Sequence, residues 1–118
     1  MIFTCLFLLW FMPVDGEIKI RIANRSSVPI EKVRVQFPSQ TEEYGNIPAR
    51  EATEYRVVKE SYRYAYIEAV VDGKRAVLQP IDYVGEKKLR PGEYTYELSL
   101  NQKATSEYDR LTLVCRKD

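Results

Sequence analysis

The stretch Leu89-Arg90-Pro91-Gly92-Glu93-Tyr94-Thr95-Tyr96-Glu97-Leu98-Ser99-Leu100 decides how the rest of the chain is read. Pro91 lacks an amide donor and has a fixed φ, and Gly92 tolerates positive φ, so the pair closes a loop. Beyond it the residue types alternate strictly. Tyr94, Tyr96, Leu98 and Leu100 fall on one face and Glu93, Thr95, Glu97 and Ser99 on the other, the period of a strand with one side buried.

The spacing Leu89-x-Pro91-Gly92-x-Tyr94 is similar to the tyrosine corner of Greek-key β-sandwiches, in which a Tyr opening a late strand hydrogen-bonds back to the loop before it. On either side of this stretch the same period recurs. Ile18, Ile20 and Ile22 alternate with Lys19 and Arg21 up to the turn residues Asn24 to Ser27. Ile30, Val33, Val35 and Phe37 mark a second strand, 38–50 a polar link between sheets, and 52–58 a third strand with Tyr55 and Val57 in phase. Asp72-Gly73 lies between Ile67–Val71 and Lys74–Leu78, the sequence signal of a two-residue type I′ hairpin. That turn pairs Val71 with Lys74, Ala69 with Ala76 and Ile67 with Leu78. One face then collects Ala65, Ile67, Ala69, Ala76 and Leu78 as core, and the other Tyr62, Tyr64, Tyr66, Glu68, Val70, Arg75 and Gln79. A last strand runs over 110–116. Seven strands with turns at this spacing predict an all-β, seven-stranded immunoglobulin- or fibronectin-III-like Greek-key sandwich.

A chain of 118 residues has room for one core, and 45% apolar with 30% charged residues is a folded composition. Eighteen Lys and Arg balance seventeen Asp and Glu, and the cations are scattered along strand faces, so no nucleic-acid footprint is expected. Histidine is absent, which removes the commonest metal ligand and general base. Residues 2–12 form an uncharged apolar run of signal-peptide length, too short to span a bilayer, with a cleavage allowed after Gly16. Residues 1–16 are therefore expected to be a leader and 17–118 the mature domain, exported to the periplasm or cell surface. Lipid attachment at Cys5 is disfavoured, because the apolar run follows the cysteine instead of preceding it. Removal of the leader leaves Cys115, in phase with Leu111 and Leu113, as a small core residue, and a Cys5–Cys115 disulfide would require the leader to stay.

Tyr62, Tyr64 and Tyr66 are the strongest candidate ligand residues, with Glu68 and Arg75 beside them as diagonal partners of opposite charge. Three rings at spacing two on one strand would make a platform for sugar faces or a partner's side chains. Leu89, Pro91, Gly92, Tyr94, Asp72, Gly73 and Asp82 are assigned structural roles, Asp82 as a cap of backbone amides in its long connection. Asp72, Asp82 and Glu86 are the acids nearest to loops, and a paired-carboxylate site would need two of them to converge. There is no glycine-rich phosphate loop, G-x-S-x-G elbow, C-x-x-C pair or calcium loop. No catalytic residue, metal or cofactor is expected.

The succession Tyr44-Gly45-Asn46-Ile47, Glu54-Tyr55, Tyr62-Arg63-Tyr64-Ala65-Tyr66, Asp72-Gly73-Lys74, Leu78 to Glu86 and Gly92-Glu93-Tyr94-Thr95-Tyr96 resembles a group of small bacterial cell-envelope proteins of unknown function. The resemblance covers residues 17–118 and implies export and a single immunoglobulin-like domain. It implies no catalytic residues. The reading at this level is a non-enzymatic binding or structural module of the envelope, with an envelope protein or a glycan as partner. A carbohydrate-binding module on the tyrosine row is the alternative, and a small hydrolase or inhibitor using loop carboxylates a third. Membrane contact is expected through a leader or anchor alone, and the protein is expected to be a monomer or a weak edge-strand dimer.

Overall fold

The structure, a computed structural model, describes residues 16–80 and 86–118; the leader expected over 1–16 and the capping role expected of Asp82 fall outside these residues, apart from Gly16. Eight strands follow one another: β1 Ile18–Asn24, β2 Ile30–Gln36, β3 Thr41–Ile47, β4 Arg56–Val58, β5 Tyr66–Val71, β6 Lys74–Leu78, β7 Gly92–Leu100 and β8 Leu111–Lys117. They form two four-stranded sheets, ordered β4-β1-β7-β8 and β3-β2-β5-β6. The chain is an all-β sandwich. Its core lies between the sheets, where Ile20, Ile22, Val33, Val35, Ile67, Tyr96 and Leu98 are fully buried.

Two features correct the seven-strand expectation. The segment assigned to a polar link contains β3, whose Tyr44 and Ile47 are buried although Glu42, Glu43 and Asn46 give it a loop's composition. It forms a hairpin with β2 in the same sheet, so the crossing between sheets comes later, over residues 48–55. The immunoglobulin arrangement sets four strands over three, whereas here each sheet has four, and β1 lies parallel to β7 from Ile18–Gly92 to Asn24–Leu98. The third strand also shrinks, to β4, and its inward residue is Val58, opposite Ile18; Val57 stands 53% exposed.

A bulge explains why the apolar positions of β2 jump from Ile30 to Val33. The register against β3 shifts on both sides of Val33, Lys32 takes φ 53°, and its amide donates to the Asn46 Oδ1 at 2.9 Å. The β5–β6 hairpin pairs Val71 with Lys74, Ala69 with Ala76 and Ile67 with Leu78. Asp72 and Gly73 have φ 51° and 73°, the two positive values that a type I′ turn requires. At the start of β7, Tyr94 Oη donates to the Arg90 carbonyl at 2.8 Å, which fixes the loop ending in Pro91 and Gly92.

Candidate functional site

The sheet β3-β2-β5-β6 ends in a groove where three chain segments meet. Pro38 cannot extend the β2 ladder, so β2 stops at Gln36 and Phe37 turns inward, 5% exposed, with its ring centroid 6.2 Å from that of Tyr96. Across the ladder Gln36 faces Tyr66, the first residue of β5, and β6 ends one pair away at Leu78, leading into Gln79-Pro80. Tyr62 closes the groove from the segment before β5. Its carbonyl accepts a hydrogen bond from Tyr96 Oη at 2.5 Å, and Ser61 Oγ lies 2.6 Å from the same phenol oxygen, fully buried. The groove encloses about 490 Å³ between the rings of Tyr62 and Tyr66, the prolines Pro38 and Pro80, and the amides of Gln36 and Gln79. It therefore offers flat apolar faces with hydrogen-bonding amides among them.

A polar chain runs away from Tyr66 along the outer face of the sheet. Tyr66 Oη donates to Glu68 Oε1 at 3.0 Å, Arg75 lies 3.5 Å from the same oxygen, and Arg75 reaches Glu107 at 3.2 Å. Burial, and then the hydrogen bond to Glu68, push the Tyr66 phenol up, while the bond to Glu107 raises Arg75. The phenol stays neutral and the guanidinium charged. The guanidinium can donate to a ligand, the phenol oxygen, whose proton goes to Glu68, can accept from one, and neither can act as a base near neutral pH.

The structure thus joins Tyr66, Glu68 and Arg75 and brings Tyr62 to Tyr66. Of the three tyrosines of the expected row, Tyr66 alone lies within a strand. β5 begins at Tyr66, so Tyr62 and Tyr64 belong to an irregular segment, and Tyr64 does not line the groove. The reason lies in Ser61 and Tyr62, which are drawn between the sheets to the Tyr96 phenol, and the amide of Leu89 adds a bond to the Ser61 carbonyl at 2.8 Å. Asp72 is exposed in its turn and Glu86 is exposed in the segment before β7, with no hydrogen bond or ion pair from either to a described residue. No three His, Cys, Asp or Glu side chains gather among the described residues. Cys115 is half-buried beside the core.

Two polar clusters escaped the sequence reading. Thr95 lies on the outer face of β7 yet is fully buried, because Arg21 Nε donates to its hydroxyl at 2.8 Å, the hydroxyl donates to Asp118 Oδ2 at 2.7 Å, and the Tyr55 phenol reaches the same oxygen at 2.5 Å. Burial alone would push the Asp118 carboxyl up, but the hydrogen bonds from Thr95 and Tyr55 and the charge of Arg21 hold it below its ordinary value. The second cluster is the buried Asn24, whose amide donates to the carbonyls of Val28, Ile47 and Pro48 at 2.8, 3.0 and 3.2 Å. Its Oδ1 accepts from the amide and hydroxyl of Ser26 at 2.9 and 2.6 Å. Both clusters join residues more than twenty positions apart, and no local motif announces them.

No protein-family model matches the sequence, and no curated protein matches it either. Among solved structures the chain is similar to the NMR structure of a protein from Eubacterium rectale, with a TM-score of 0.60 and 8% identity over 87% of this chain and 91% of that one. At that identity the likeness is one of fold.

Proposed function

We propose that this domain is a non-catalytic binding module and that its ligand is a glycan segment seated in the groove of Tyr62 and Tyr66. The observation that carries the reading is the composition of the groove: two tyrosines and two prolines supply faces for the C–H surfaces of sugar rings, and Gln36 and Gln79 supply donors and acceptors for hydroxyls. The apolar run of residues 2–12 supports a place at the cell envelope, where such ligands are abundant.

The experiment is titration of the full chain with a panel of cell-wall and dietary polysaccharides by isothermal calorimetry, beside a Tyr62→Ala, Tyr66→Ala variant whose fold is checked by circular dichroism. Stacking on one aromatic ring contributes about 1 kcal/mol, so the folded double variant is expected to bind at least about tenfold more weakly. Binding unchanged in the folded variant, or no binding to any glycan, would reject the groove as a glycan site.

A further inference from the structure

A second cleft lies where β8 ends beside the segment leading into β7. The Leu89 amide bond to Ser61 holds residues 86–90 against residues 61–63, and the Tyr94 phenol clamps the Arg90 carbonyl. Tyr94 stands opposite Lys117 in the β7–β8 ladder. As a result Arg63, Lys87, Lys88, Arg90 and Lys117 line one cleft of about 240 Å³, with Tyr94 and Cys115 on its wall. The fold adds Arg63 and Lys117 to the cations Lys87, Lys88 and Arg90, which already lie together in the sequence.

Most of the charge of this cleft has no carboxylate of a described residue beside it. Arg21, Arg25, Arg56, Arg75 and Arg116 each pair with a carboxylate. In the cleft Lys88 has Glu60 at 2.5 Å, but Arg63, Lys87, Arg90 and Lys117 have no ion pair with a described residue, and no carboxylate is among the lining residues. A chain with a formal net charge of +1 thus gathers five of its eighteen cations around one cleft. Like charges held together in a concave site repel one another and focus a positive potential that an anion relieves. Two guanidinium forks suit the planar-pair geometry of sulfate or phosphate oxygens, and the lysines add point charges at the rim.

We propose that this cleft is a polyanion site, taking a chain that bears sulfate or phosphate groups, with Arg63 and Arg90 as its forked contacts and Lys87 and Lys117 as flanking charges. The site stands apart from the tyrosine groove and does not depend on it. Cys115 is a built-in reporter. Burial pushes its thiol up and Arg63 opposes that shift. An anion seated on Arg63 both covers the sulfur and cancels the charge that favours its thiolate, so occupancy slows alkylation.

The test uses the full chain with Cys5→Ser, so that Cys115 is the single thiol, and follows alkylation by uncharged iodoacetamide with and without tripolyphosphate or heparin. Affinities are measured by calorimetry for the same chain, for an Arg63→Ala, Arg90→Ala variant, and for a Lys19→Ala, Lys103→Ala variant that removes the same charge elsewhere. The proposal expects protection of Cys115 and a loss of about tenfold or more in the cleft variant alone, the loss of two charge-assisted contacts. The stronger of the two probes then identifies a phosphate chain or a sulfated polymer as the class of ligand. Equal losses in both variants, or binding that leaves Cys115 unprotected, would overturn it. Tighter binding of a single-stranded oligonucleotide of the same charge would also overturn it, by assigning the cleft to nucleic acid.

Discussion

Asn24 is 1% exposed, and its amide satisfies three backbone carbonyls from two different loops while its oxygen holds Ser26. Its sequence neighbours Arg25-Ser26-Ser27 mark it as a turn residue, whereas it is the last residue of β1, paired with Leu98. The larger role was illegible because two of its partners, the carbonyls of Ile47 and Pro48, lie 23 and 24 residues away. Asn24→Leu keeps the volume and strands those carbonyls, so it is expected to cost about 3 kcal/mol, the order of a buried polar group left without a partner. Urea unfolding monitored by tyrosine fluorescence measures it. Tyr96→Phe removes one donor from the buried Ser61 and Tyr62 pair and is expected to cost about 1–2 kcal/mol. Tyr96 itself was placed on the inward face by simple alternation, and only its hydroxyl's partners required the fold.

At the scale of elements, period two and turn chemistry were enough for β1, β7, β8 and the β5–β6 hairpin. Each has either an uninterrupted alternation or a turn whose φ demands are met by Asp-Gly. β3 was missed because a strand at a sheet edge buries few residues, and Thr41-Glu42-Glu43 carries the charges that such edges use. The strand start was placed too early for a related reason: periodicity cannot tell a strand from an extended segment that precedes it, and β5 begins only at Tyr66. The connection from β7 to β8 is ordered by one carboxylate. Asp109 accepts from the amides of Ser106 and Thr105 at 2.9 and 3.1 Å, and these bonds hold its carboxyl below the ordinary value. A carboxyl depressed in the folded state contributes its stabilisation above the unfolded value of about 3.9 and loses it as pH falls through the folded one. The amide resonances of Thr105 and Ser106 are therefore expected to move together toward unfolded-loop positions with a midpoint below that of an ordinary Asp. A midpoint at or above the ordinary value would contradict the assignment.

At the scale of the whole molecule, the sandwich brings the ends of β2, β5 and β6 to one groove and the ends of β7 and β8 to one basic cleft. The segments before β5 and before β7 divide between the two: Tyr62 serves the groove and Arg63 the cleft. The all-β class was legible from the tyrosines and the alternation, while the parallel pairing of β1 with β7 was not, because both strands have the same one-sided pattern whichever direction their neighbour runs. The sites were legible in their residue types and hidden in their membership. Tyr62 and Tyr66 were named as candidates, yet Gln36, Pro38 and Pro80 join them only once three strands have ended at the same edge.

The central claim is that the tyrosine groove holds the ligand, and it is tested most directly by mapping amide shifts of the isotope-labelled full chain during titration with the glycan that binds best. The account predicts that the side-chain amides of Gln36 and Gln79 and the backbone amides of Tyr62 and Tyr66 shift first and furthest. Shifts centred on β3 or β8, with the Gln36 and Gln79 side chains unmoved, would contradict it.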